Sequence, residues 1–202
     1  MNACRIFLLS PAHCGGRRAA ILLNEHATFP LALKLRSAGL TLGEAFSFLS
    51  GLYFRGKITY AGRFARPPAG VSGAQIITTD RGLVPAEATV GVTDLRAFGT
   101  VDIHANHPSY RIPLQRDLAR LQQFPDAEVV LLGSVASNKY VDALVEVFGD
   151  RLLFPSAFVG RGDMSRGGLL LRAADAGEEL AYEPVAGAVR RGHRPPKLAP
   201  RR

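Results

Sequence analysis

The chain has 202 residues, 47% of them hydrophobic and 21% charged, enough for one α/β domain with a full core and ordinary for a soluble globular protein. Its net charge is +8, but six positive charges (Arg190, Arg191, Arg194, Lys197, Arg201 and Arg202) crowd into the acid-free last 16 residues, so the body is only mildly basic. The apolar run at 6–9 is too short for a signal-peptide core or a membrane span, and the cysteines, Cys4 and Cys14, make neither a disulfide framework nor a zinc spacing, so a cytoplasmic protein with no membrane partner is expected.

CRIFLL reads as a buried strand, followed by the turn SPAHCGG and a helix over 17–23. TLGEAFSFLSGLYF opens with Thr41 as N-cap and Glu44 three residues on, the pattern of a capping box. Its apolar positions Leu42, Ala45, Phe46, Leu49 and Tyr53 keep helical spacing. RGKITYAGRFA predicts a break at Gly56 and a second, shorter helix. ARPPAGVSG is a loop, AQIITT a β-branched strand ending in the turn DRGLVP, and GTVDIHA a weaker strand. PLQRDLARLQQF sets Leu114, Leu118 and Leu121 on one helical face. AEVVLLG is the strongest strand signal; the helix NKYVDALVEVF follows it, then the short strand RLLFP. GLLLRAA and EELAYEPV read as a closing pair of strands. The alternation predicts a single α/β domain over residues 1–186, with a mainly parallel sheet flanked by helices. Residues 187–202, rich in Pro and Gly, read as a disordered tail that grips phosphates by charge or merely keeps the chain in solution.

Three strand ends pass into small or polar residues, at 10–16, 80–85 and 133–138. Open α/β sheets bind ligands beyond the carboxyl ends of their strands, where helix N-termini present free N–H groups. Ser10, His13, Gly15 and Gly16, then Asp80, then Gly133, Ser134, Ser137, Asn138 and Tyr140 are therefore candidate ligand-binding residues, expected side by side on one rim. In FVGRGDMSRGG, Arg161 and Arg166 lie among four glycines, and an irregular loop there would bring both guanidinium forks to a phosphate or carboxylate. The plainer alternative is that Asp163 pairs with one of them. Cys14, at a helix start, is a candidate nucleophile, although inert buried cysteines are commoner. Asp102, His104 and His107 lack the partners that would complete a metal site, and Ser50, Ser134 and Ser137 lack a G-x-S-x-G context, so neither a metal, a cofactor nor a hydrolase triad is expected.

Several of these stretches, taken in order, resemble the YaaA-like peroxide-stress proteins and, more widely, α/β proteins of the uracil-DNA-glycosylase type. They are LLSPA at 8–12, ITTDRGLVP at 77–85, the pair Tyr110-Arg111, VASNKY at 135–140 and GRGDMSRGGLL at 160–170. The chain departs from the family in having His13 where it has a lysine and Lys139 where it has a glutamate. The resemblance implies a DNA- or nucleotide-associated protein with a role against iron-driven oxidative damage. Arg55, Lys57, Arg161, Arg166 and the tail would meet phosphates, and Phe54, Tyr60 and Tyr110 would stack on bases.

Three functions compete at this level. The first is a binding protein for DNA or nucleotide without chemistry. The second is a glycosylase-like or other hydrolase acting on a nucleobase or nucleotide, with Asp80 or Asn138 positioning water. The third is a small-ligand sensor or redox protein built on Cys14.

Overall fold

The computed structural model describes residues 3–101, 107–136, 138–196 and 198. In chain order the elements are β1 (Arg5–Leu9), α1 (Arg17–Leu22), α2 (Pro30–Ser37), β2 (Leu40–Thr41), α3 (Leu42–Ser50), α4 (Leu52–Phe64), β3 (Ala74–Ile77), β4 (Leu83–Pro85), β5 (Thr89–Val90) and α5 (Val92–Thr100). There follow α6 (Pro108–Gln122), β6 (Glu128–Leu132), α7 (Asn138–Phe148), β7 (Leu152–Pro155), α8 (Asp163–Ala176) and β8 (Tyr182–Pro184). Short 3-10 turns at Gly149–Arg151 and Ser156–Phe158 flank β7.

Six strands form one sheet in the order β4-β3-β1-β6-β7-β8. The four central strands are parallel, and the edge strands β4 and β8 run against them. The fold is α/β, with a mostly parallel sheet. Strand β1 sits at the centre, and Ile6, Phe7, Leu8 and Leu9 are wholly buried because helices cover both faces. β2 and β5 pair separately and brace the start of α3, where Thr41 and Glu44 close the capping box.

Four stretches depart from the sequence-based expectation. The break predicted at Gly56 falls at Gly51, whose φ of 65° suits glycine, and α4 runs straight through Gly56. GLLLRAA is not a strand but the body of α8. The run GTVDIHA begins in the last turn of α5 rather than in a strand, and its residues 102–106 lie outside the described residues. DRGLVP is half turn and half strand, since its last three residues form β4.

The two misread glycine positions share one cause. A Cβ added at Gly56 would lie 2.6 Å from the Gly167 carbonyl oxygen, and one at Gly167 would lie 2.7 Å from the Leu52 carbonyl oxygen and Tyr53 Cα. Helices α4 and α8 therefore cross with their backbones in contact, which only glycine permits. Gly167→Ala is expected to force the helices apart and cost about 1–3 kcal/mol, read as a lowered denaturation midpoint with an unchanged m-value.

Part of the basic tail lies among the described residues. Its described part has no regular element but runs along the start of α8. The His193 carbonyl oxygen lies where a Cβ on Gly160 would stand, Gly192 packs on Val159, and Leu198 reaches Gly168. Arg161 donates to the Pro196 carbonyl oxygen at 3.4 Å, and Arg190 pairs with Asp142 at 3.9 Å.

Candidate functional site

Parallel pairing of β3, β1 and β6 puts the ends of these strands, Ile77, Leu9 and Leu132, on one rim. The three predicted loops leave from there. Ser10 is the first residue beyond β1, and its N–H continues the ladder by donating to the Leu132 carbonyl oxygen at 3.2 Å. Gly133 is the first residue beyond β6. A Cβ there would fall 3.0 Å from Ser10 Cβ and 2.9 Å from the Tyr140 hydroxyl, so a bare backbone is what lets Ser10 and Tyr140 meet. The Tyr140 hydroxyl accepts from Ser134 N–H at 3.0 Å and donates to the Ser134 carbonyl oxygen at 3.1 Å, tying the loop back onto α7.

Beneath these residues lies a side chain that the rim argument did not select. Lys57 of α4 is 1% exposed, and its Nζ stands 2.5 Å from the Ser10 carbonyl oxygen and 2.9 Å from Ser10 Oγ. The rings of Tyr53 and Phe54 pack against it, with centroids 4.5 and 4.6 Å from Nζ. Desolvation pulls the amine down to about 7, only partly opposed by the attraction of Asp163. Among the described residues, no carboxylate forms an ion pair with it. A sequence signal for it existed. Tyr53, Lys57, Tyr60 and Phe64 keep helical spacing along the buried stripe of α4, so a lysine occupies a core position.

Arg166 of α8 completes the cluster. It is 8% exposed, and the contact between Gly56 and Gly167 holds it beside α4. Its Nε donates to the Phe158 carbonyl oxygen at 3.3 Å, its Nη1 reaches Asp163 at 3.4 Å, and its guanidinium lies over the Phe158 ring. Its positive charge acts on both Tyr53 and Tyr140. The Tyr53 and Tyr110 hydroxyls are buried without a hydrogen-bond partner among the described residues. Burial pushes both phenols well up, and the negative form of Tyr140 would push further on each. Such orphaned hydroxyls are costly inside a protein and point to a polar occupant.

The predicted residues thus divide. Ser10, Gly133, Ser134, Tyr140 and Arg166 come together. Arg161 does not join them. Its Nε donates to the Ala157 carbonyl oxygen and its Nη1 to Ser165 and Pro196, so the two guanidinium forks do not converge as expected. The reason is that 163–176 is helix rather than loop. His13 lies on the surface over Gly15 and Gly16, beside a recess of about 200 Å³ that Cys14, Thr79, Phe98 and Lys139 also line. Asp80 sits one strand further along, 4.0 Å from Arg81, and its Oδ1 has no hydrogen-bond partner among the described residues. Asn138 is the exposed first residue of α7, and Ser137 lies outside the described residues, as do Asp102 and His104.

Two other expectations are corrected. The Cys14 thiol is buried, and desolvation pushes it up to about 12, which disfavours the thiolate that a nucleophile needs at neutral pH. Phe54, Tyr60 and Tyr110 are at most 1% exposed, so none of them presents a ring to a base. No helix among the described residues is long and apolar enough to cross a membrane.

No protein-family model matches the chain, and no curated protein or solved structure matches it either.

Proposed function

We propose that the protein binds a phosphate-bearing ligand of the nucleotide or nucleic-acid class, held at the carboxyl rim of the sheet by Arg166 and the hydroxyls around it. One observation carries this reading. Arg166 is buried beside Tyr53, whose hydroxyl has no hydrogen-bond partner among the described residues, and its acidic neighbour, Asp163, is itself exposed and held loosely at 3.4 Å. A guanidinium stays charged under all ordinary conditions, and its planar fork matches two phosphate oxygens. Ser10, Tyr110, Tyr140 and Arg166 come from separate stretches that resemble the YaaA-like proteins, and their meeting at one place supports that resemblance and its nucleotide or DNA ligand.

The test is titration with a short labelled single-stranded oligonucleotide and with a dinucleotide. Arg166→Lys keeps the charge and loses the fork, and it is expected to weaken binding about tenfold, with Arg166→Ala weaker still. Parent-like binding by both folded variants would remove the reading. A second function, a hydrolase acting on the same class of ligand, is favoured by the 2.9 Å contact between Lys57 and Ser10.

A further inference from the structure

We infer that Ser10 and Lys57 are a nucleophile and its base, and that they cleave a phosphoester of the bound ligand through a covalent phosphoserine. This rests on the phosphate reading above for its substrate class, and on independent geometry for the pair itself.

Three features of the geometry point this way. First, the contact is direct and fixed from both sides. Lys57 Nζ stands 2.9 Å from Ser10 Oγ and 2.5 Å from the Ser10 carbonyl oxygen. A neutral amine in that place can donate one N–H to the carbonyl and offer its lone pair to the hydroxyl proton. Second, the lysine is buried in the wrong company for a structural role. Buried lysines are normally neutralised by a carboxylate, whereas the neighbours of this Nζ are a serine and two aromatic rings. The amine therefore titrates close to neutrality, where a general base works best. Third, the hydroxyl lies where the carboxyl rim of the sheet is bare backbone. A Cβ on Gly133 would stand 3.2 Å from Ser10 Oγ and 2.9 Å from the Tyr140 hydroxyl, too close for a side chain, so the glycine lets the two hydroxyls come together.

The chemistry balances without a metal or a redox partner. Ser10 Oγ forms a bond to phosphorus and its proton passes to Lys57 Nζ. The bond from phosphorus to the leaving oxygen breaks, and that oxygen takes the proton from the Lys57 ammonium. Water then attacks the phosphoserine and gives a proton to Lys57. The bond between phosphorus and Oγ breaks, and Oγ recovers the proton. The net change is hydrolysis of one phosphoester. Arg166 and the phenols supply the fixed positive charge and donors that the crowded phosphorus centre needs. Arg166 keeps its proton, which leaves Lys57 free to exchange one.

The probe is an alkyl fluorophosphonate, a neutral reagent that transfers its phosphorus to an activated serine with loss of fluoride. Intact-mass measurement and peptide mapping are expected to show one adduct, on Ser10. Its rate should rise with pH about a midpoint near 7 and then level off. Ser10→Ala should give no adduct. Lys57→Met and Lys57→Arg should label at least about 100-fold more slowly, with circular dichroism confirming that both are folded. Oligonucleotide binding is measured on the same samples. Parent protein that stays unlabelled between about pH 6 and pH 9 yet binds oligonucleotide through Arg166 overturns the pair and leaves the phosphate reading standing. Labelling of Lys57→Met at the parent rate removes Lys57 as the base. Labelling of Ser10 in a protein that binds no oligonucleotide overturns the phosphate ligand and keeps the nucleophile.

Discussion

Lys57→Met is expected to make the protein more stable and less functional at once. Lys57 Nζ releases its proton at about pH 7 in the folded chain, against a usual value of 10.5. Between those values the unfolded chain holds a proton that the folded chain does not, so stability rises with pH across that window. Below about pH 7 the full cost of the buried amine applies, on the order of 5 kcal/mol at 1.36 kcal/mol per unit. Methionine has a similar shape and no charge, so it removes that cost. It also removes the contacts with Ser10, which offsets the gain by about 1–3 kcal/mol. The expected result is a folded state about 2 kcal/mol more stable at pH 6, with a flatter stability profile between pH 7 and 10.5. Denaturant melts of parent and variant across that range would check it. A variant less stable than the parent at pH 6 would mean that the amine is compensated within the fold, and that its burial is structural.

The second large effect is expected at Asp117, on α6. Its carboxylate is 9% exposed, accepts from Leu83 N–H at 3.0 Å, and takes a two-pronged contact from Arg116 at 2.8 and 2.9 Å. Gly82, at φ 75°, packs so tightly under it that a Cβ would fall 2.4 Å from both Asp117 Oδ2 and the Pro113 carbonyl oxygen. Asp117 is thus the clamp on the turn between β3 and β4. Asp117→Ala leaves the Leu83 N–H without its acceptor and removes the carboxylate that pairs with Arg116 and, at 3.4 Å, with Arg120. A loss of about 3 kcal/mol is expected, with hydrogen exchange rising first at Thr78 and Leu83. Asp117→Asn keeps an acceptor for Leu83 and should cost less than half as much. Equal losses in the two variants would show that the ion pairs, not the turn, carry the effect.

How much of this was legible in the chain depends on which signal each element sends. The central strands were readable because a parallel strand buried on both faces appears as an unbroken apolar run, as in residues 6–9 and 129–132. The capping box at Thr41 and Glu44 is a local pattern and needs no tertiary information. Helix α8 was not readable, since Gly167 and Gly168 followed by three leucines mimic a turn and a strand. Gly167 is bare because of α4, which is more than a hundred residues away in sequence. Pro113 inside α6 and Gly56 inside α4 mislead in the same way. At the rim, Ser10, Gly133 and Tyr140 could be chosen because strand ends are chemically conspicuous. Lys57 lies in the middle of a helix, four residues after Tyr53, and its contact with Ser10 appears only once α4 is laid beneath β1.

The contact between Gly56 and Gly167 has a mechanical meaning as well. Lys57 follows one of these glycines and Arg166 precedes the other, so the amine and the guanidinium sit on either side of a joint with no side chain in it to bend. Their spacing is set by main chain against main chain and has little play. A ligand entering this site meets groups already in place and loses little affinity to ordering them. On the phosphate reading proposed above, the selectivity of the site rests on this fixed spacing rather than on closure around the ligand.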